Sequence, residues 1–180
     1  MSETTQRQRT VVWKDPTVNA RAAERMSGLE FLGAMQKGEL PLPPICELVG
    51  FEPAEIEEGR VVFECVPAEC HYNPIGAVHG GLACTLFDSA MGCAVHTMLP
   101  AGVGYTTVEL KVNFLRPITL QTGRLRCEGT TIHVGGHIAT AEARLLDTSS
   151  KLYGHATTTC MIFRNLAPEQ LKPSAGEGRR

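Results

Sequence analysis

The sequence predicts an α+β domain in which a curled antiparallel sheet wraps one long central helix. Three observations predict it. The run from Gly80 to Leu99 is apolar or small on nearly every side, the pattern of a helix that is surrounded rather than laid on a surface. After it, Val108, Leu110, Val112 and Phe114 alternate with Thr107, Glu109, Lys111 and Asn113, the period of a half-buried strand. Further alternating runs follow, separated by the turn residues Gly135-Gly136 and Asp147 to Ser150, as hairpins require.

The elements can be justified in order. Residues 1 to 18 are polar and unpatterned and are expected to form a mobile tail. Ser27 and Glu30 form a capping-box pair, Leu29, Leu32 and Met35 follow at helical spacing, and Gly38 can stop the helix. A short extra helix is therefore expected ahead of the core. Pro41 to Pro44 is a stiff connector. Cys46 to Glu57 and Arg60 to Val66 read as two strands about a turn at Glu57, Glu58 and Gly59. A polar loop from Pro67 to Val78 contains the turn-forming pairs Asn73-Pro74 and Ile75-Gly76 and ends at His79-Gly80-Gly81. The central helix should run from Gly81 to about Met98. The strand carrying Val108 is closed by Pro117, and Leu125 to Cys127, Ala139 to Leu145 and Leu152 to Phe163 complete the sheet. Residues 166 to 180, rich in Pro, Gly and charge, read as a second tail. This leaves a single domain over 19–165.

Composition narrows the function. A chain of 180 residues, 43% hydrophobic, can bury one core and is too short for two full-sized domains. A formal net charge of -2 offers no broad attraction to nucleic acid or to an anionic membrane. Asp88, in the middle of the most apolar run, argues against a membrane span there. Seven cysteines without a CxxC pair read as reduced thiols, and the first sixteen residues lack the apolar stretch of a secretory signal, so a cytoplasmic location is expected. The histidines at 71, 79, 96, 133, 137 and 155 have no ligand spacing with the cysteines, and G-x-S-x-G is absent. No metal and no cofactor are expected.

The stretch Asn73-Pro74-Ile75-Gly76-Ala77-Val78-His79-Gly80-Gly81 and the carboxylate of Asp88 carry the chemistry. Amide groups at the start of a helix lack intrahelical partners and sit at the positive end of its dipole, so Gly80 and Gly81 can donate to a developing oxyanion while leaving room for a carbonyl. Asp88 stands among Leu86, Phe87, Ala90 and Met91, where a desolvated charge would cost several kcal/mol, and is expected to be a buried carboxylate with a task. Taken singly, Asn73 is a turn residue and His79 a helix-terminal one; their clustering suggests more.

This pattern, N-P-x-G-x-x-H-G-G with a carboxylate nine residues after the histidine, resembles the hotdog-fold acyl-CoA thioesterases of the PaaI-type (phenylacetate-pathway) branch. The resemblance covers about Cys46 to Phe163, including the strand Thr107 to Pro117. It implies that Asp88 acts as general base or nucleophile, that the Gly80 amide polarises the thioester carbonyl, and that Asn73 orients the nucleophile or water. It also implies that Thr107, or the adjacent Thr106, holds the water or steadies Asp88, and that His79 assists the carbonyl or fixes the loop. It further implies a homodimer or homotetramer whose active sites lie at subunit interfaces. Coenzyme A would be held by Gly81, Arg116, Gly135, Gly136 and His137, with His133, Arg124 and Arg126 nearby, although this hairpin carries histidines where the branch has Arg or Lys. A hotdog hydratase or dehydratase and a non-catalytic acyl-CoA-binding protein are the rival readings; aryl, medium-chain and long-chain acyl groups all fit the pattern.

Overall fold

The structure, a computed structural model, describes residues 5–164; the expected tail at 166–180 lies outside them. Six strands form one antiparallel sheet: β1 (Phe51–Glu57), β2 (Arg60–Cys65), β3 (Val103–Phe114), β4 (Leu125–Val134), β5 (Ile138–Asp147) and β6 (Leu152–Arg164). Their order is β1-β2-β4-β5-β6-β3, so β3, early in the chain, is placed at an edge by pairing with the last strand. The turn residues do what their chemistry allows. Gly59 (φ 74) turns β1 into β2, and Asp147 accepts hydrogen bonds from Ser149 N and Lys151 N to close the β5–β6 hairpin.

The central helix, α4 (Gly80–Thr97), lays Leu86, Phe87, Met91 and Val95 into the sheet against Val61, Leu125, Cys127 and Leu145, all of them fully buried. Gly129 on β4 permits this approach. A Cβ there would stand 2.4 Å from the carbonyl carbon of Ala90, so the sheet and the helix backbone touch directly.

The N-terminal part differs from expectation. One short helix is expected before the core, and the structure has three: α1 (Thr17–Ala23), α2 (Gly28–Gln36) and α3 (Pro44–Val49). The expected domain start at 19 therefore falls inside α1. The capping box at α2 is present, with Ser27 and Glu30 bonded reciprocally. The expected strand from Cys46 is instead α3 up to Val49, and β1 begins only at Phe51. Pro44 suits the first turn of a helix because its missing N–H has no partner to lose, and Gly50, in the left-handed region at φ 84, ends that helix. A Cβ on Gly28 would lie 1.7 Å from the His96 carbonyl oxygen, and Gly28 N donates to Leu99 O at 3.0 Å, so α2 is seated on the C-terminal end of α4.

Two further expectations are corrected. The helix is not surrounded: Asp88 is exposed, and Gly81, Cys84, Thr85 and Ser89 beside it are only half-buried. The sheet covers one side of α4 and leaves this stripe open, so in the single chain the carboxylate keeps its water and the desolvation argument does not apply to it. In β3, which starts at Val103 rather than near Thr107, Val108 sits in a bulge between Thr107 and Glu109 and is exposed, while Leu110 and Val112 alone of the alternating set pack on the core. Among the described residues no helix is long and apolar enough to cross a membrane.

Candidate active site

Asp88 meets β3 at the bulge. The hydroxyl of Thr107 donates to Asp88 Oδ1 at 2.8 Å. Thr106 lines the same cavity without bonding the carboxylate, so of the two threonines it is Thr107 that bears on Asp88. The cavity, about 630 Å³, runs from Asp88, Ser89 and Thr107 inward past Phe63, Cys93 and Tyr105.

The residues of the glycine loop lie elsewhere. Asn73 Oδ1 accepts from Ile75 N (3.0 Å) and Ala77 N (3.1 Å), and Asn73 N donates to Ala77 O (2.7 Å), which closes the loop as an Asx turn. Its Nδ2 has no acceptor among the described residues. Val78 N donates to Ile118 O and His79 N to His71 O, anchoring the loop from both sides. Desolvation, helped by the nearby Arg9 charge, lowers the pKa of His71 beneath it and keeps that support uncharged at neutral pH.

His79 is the N-cap of α4: its Nδ1 accepts from Gly81 N at 2.8 Å. The Gly81 amide is thereby occupied. Gly80, at the first position of the helix, has no such partner among the described residues, so its N–H is the free donor. A Cβ on Gly80 would come within 3.1 Å of the Phe114 ring, which sets this amide beside the far end of β3.

The predicted residues thus form two groups. Asp88, Thr107 and Thr106 make one, with the Gly135-Gly136 hairpin two strands away from it, since Thr107 pairs with Cys160 and Cys160 with Ala139. Two strand spacings are about 10 Å. Asn73, His79 and Gly80 make the other, with Arg116 at the same end of β3 and its guanidinium on the Leu152 carbonyl. Eight residues of helix separate Gly80 from Asp88, about 12 Å, too far for one carbonyl to touch both.

Arg124 and Arg126 are committed to carboxylates: Arg124 pairs with Glu64 at 2.8 Å, and Arg126 with Glu64 at 2.6 Å and with Glu55. They do not present free charge to a phosphate. Among the described residues no three His, Cys, Asp or Glu side chains cluster in a way that could hold a metal ion. Sequence reasoning missed the segment before α1. Arg7 pairs with Glu69 at 3.1 Å and Arg9 donates to Glu47 O at 3.1 Å, and Arg9 and Val11 wall a second cavity, about 520 Å³, that His79, Gly81 and Thr85 also line. Contacts between residues 38 and 62 apart leave no local signal.

A six-stranded sheet curled on one helix, with a free glycine amide at the helix start and a carboxylate two turns on, is a hotdog arrangement, and residues 75–153, less than half of the chain, match the family model of the thioesterase superfamily. A 1,4-dihydroxy-2-naphthoyl-CoA hydrolase from Listeria monocytogenes is 24% identical over 106 residues, 59% of this chain and 85% of that one. A protein named as an esterase from Halobacterium salinarum is 41% identical over 69 residues, and the match spans 37% of this chain and 44% of that relative's length, less than half of it. Among solved structures, a phenylacetic acid degradation-related protein from Ralstonia eutropha is similar with a TM-score of 0.66 at 27% identity, covering 72% of this chain and 98% of that one. In fold the chain resembles the PaaI protein of E. coli as well, with a TM-score of 0.66 at 18% identity, covering 78% of this chain and 97% of that one.

Proposed function

We propose that the protein hydrolyses the thioester of an acyl- or aryl-CoA to the free acid and coenzyme A, in the cytoplasm and without metal or cofactor. The observation that carries the proposal is the Asp88–Thr107 pair in the wall of an open cavity of about 630 Å³, set about two helical turns from an unused amide at Gly80. Thr107 occupies Oδ1 and leaves Oδ2 to act. As general base, Oδ2 takes a proton from water as the water oxygen bonds to the thioester carbon; the carbonyl oxygen, now negative, is held by a Gly80 amide. Collapse breaks the C–S bond, and the departing thiolate takes the proton from Asp88. As nucleophile, the carboxylate would instead bond to the thioester carbon and expel the coenzyme A thiolate, forming an anhydride that water then opens to the free acid and the restored Asp88 carboxylate.

The Gly80 amide and the Asn73 Nδ2 that serve one Asp88 belong to a second copy of the chain. β3 is an edge strand with one side unpaired among the described residues, and its exposed Val108 and Phe114, with Leu115 just beyond its end, favour a partner. Antiparallel pairing of β3 with β3 about a two-fold near Leu110 and Lys111 would set the Thr107 end of one copy against the Phe114 end of the other. Each site would then receive Asp88 and Thr107 from one copy and Asn73, His79 and Gly80 from the other, in a homodimer or a tetramer of such pairs. Arg116, Gly135, Gly136 and His137 are the proposed coenzyme A contacts.

The test is release of coenzyme A from phenylacetyl-, benzoyl-, hexanoyl- and palmitoyl-CoA, followed by complementation. Asp88→Ala and Asn73→Asp, the latter keeping the turn-closing oxygen and losing Nδ2, should each be inactive alone. Refolded together in equal amounts they should regain about a quarter of native activity, since half the dimers are mixed and each of those holds one intact site. No recovery would put the whole site within one chain; acyl-CoA binding without release would favour a binding protein, and hydration of an enoyl-CoA the hydratase reading. Thr107→Val should lower kcat roughly tenfold with little change in KM, because the lost hydrogen bond positions the base and does not hold substrate.

A further inference from the structure

β3 changes register partway along. From Val103 to Thr107 it pairs with Arg164 to Cys160, and from Glu109 to Phe114 with Thr159 to Gly154, so Val108 is an extra residue without a partner opposite. Side chains alternate along a strand, and one added residue reverses the alternation beyond it. Leu110 and Val112 pack on the core, and Thr107 meets Asp88 on that same face of the sheet. Three positions separate Thr107 from Leu110, an odd number that an unbroken strand cannot place on one face. Without the bulge, a strand that kept Leu110 and Val112 inside would turn Thr106 and Val108 inward and Thr107 away from α4.

The bulge is held from β6. Thr158, opposite Leu110, is only 2% exposed, and its hydroxyl donates at 2.6 Å to the carbonyl oxygen of Glu109, the first residue past the insertion. A buried hydroxyl is unfavourable unless bonded, and here the bond goes to the point at which β3 departs from regular pairing. Cys160 Sγ lies 4.0 Å from the Thr107 hydroxyl oxygen, a weak partner that limits the side chain's room.

Resting on the thioester-hydrolase reading, we infer that Thr158 is a positioning residue for that reaction: its hydroxyl holds the bulge at Val108, and the bulge turns Thr107 onto Asp88. Thr158 lines no part of the cavity at Asp88, and its hydrogen bond goes to the strand rather than to the carboxylate. Its effect on the reaction therefore passes through Thr107.

The experiment is a double-mutant cycle on coenzyme A release, with Thr107→Val, Thr158→Val and the two combined, and with Thr158→Ser as the conservative variant. The substrate is the phenylacetyl, benzoyl, hexanoyl or palmitoyl thioester that turns over fastest. Thr158→Val should lower kcat about threefold to tenfold, no further than Thr107→Val does, with KM unchanged. In the Thr107→Val background the same substitution should cost less than about twofold, because no hydroxyl is left for the bulge to aim. A variant that merely folds less completely would lose activity by the same factor in both backgrounds, so partial unfolding does not imitate this result. Thr158→Ser keeps the hydroxyl and should stay within about twofold of native kcat. Equal losses in the two backgrounds overturn the inference, as does a native kcat in Thr158→Val or a Thr158→Ser chain as slow as Thr158→Val. If the native chain hydrolyses no thioester, the hydrolase reading fails separately, and three-bond couplings to the Thr107 methyl group then decide whether Thr158 aims that side chain. One rotamer in the native chain and an average of rotamers in Thr158→Val would keep the aiming role; the same rotamer in both would remove it.

Discussion

Replacing Asp88 with Asn is expected to reduce thioester hydrolysis by about two to four orders of magnitude, the usual contribution of a positioned general base, while leaving the fold unchanged. Asp88 is exposed and on the open stripe of α4, and substitutions in such positions usually shift stability by no more than about 0.5 kcal/mol. Asn keeps an oxygen for the Thr107 hydroxyl, so the local geometry persists and only the basic or nucleophilic oxygen is lost. The loss should therefore appear in kcat, measured as coenzyme A release at saturating substrate, with an unchanged melting temperature. Asp88→Ala should behave alike. If Asp88→Asn retained more than about a tenth of native kcat, a base contributing 10²-fold or more would have to be sought elsewhere.

The largest effect on stability is expected at Gly129. Gly129→Ala would place a Cβ 2.4 Å from Ala90 C, 2.5 Å from Ala90 O and 2.7 Å from Met91 N. All three are backbone atoms of a helix, which no rotamer change can move aside. Either α4 lifts from the sheet, opening gaps around the fully buried Leu86, Phe87 and Met91, or β4 bends away from its neighbours. Overpacking of a filled core costs about 1–3 kcal/mol and sometimes more, and a clash against a helix backbone belongs at the upper end, about 3 kcal/mol. Urea denaturation should show a lowered midpoint at constant slope. Gly136→Ala is the control: nothing lies within 4 Å of its added Cβ, and its stability should match the native value to within about 0.5 kcal/mol. An undisturbed Gly129→Ala midpoint would mean that helix and sheet can part at little cost.

What could be read in the sequence follows from the range of the interactions involved. The capping box at Ser27, the turn at Gly59 and the Asp147 hairpin are decided by residues two to four apart, and each appears where the pattern places it. Period-two alternation located β4, β5 and β6, although Leu125–Cys127 marked only the start of a strand that continues to Val134. The segment at Cys46 was misread because apolar residues after Pro44 suit a strand and a short helix alike, and the helix is chosen by docking of Cys46 into the core. Exposure of Asp88 was not legible, since a helix apolar all round looks the same in sequence whether its own sheet or another copy covers its last face. At the candidate site the residue types and their spacing were visible. Their division into two groups was not, because it follows from β3 lying at the sheet edge.

The strand order has a consequence for how the molecule comes into being. β3 is made directly after α4, yet among the described residues its only neighbour in the sheet is β6, the last strand. During synthesis the N-terminal helices, α4 and the β1–β2 hairpin can associate early, while β3 must wait, unpaired, for roughly fifty more residues to emerge. Thr107 is thus brought to Asp88 at the end of folding. A nascent or truncated chain that stops before Leu152 would carry every residue of the proposed catalytic set and have no strand on which to register Thr107, so protein lacking the last strand should be idle, and its waiting β3 open to mispairing.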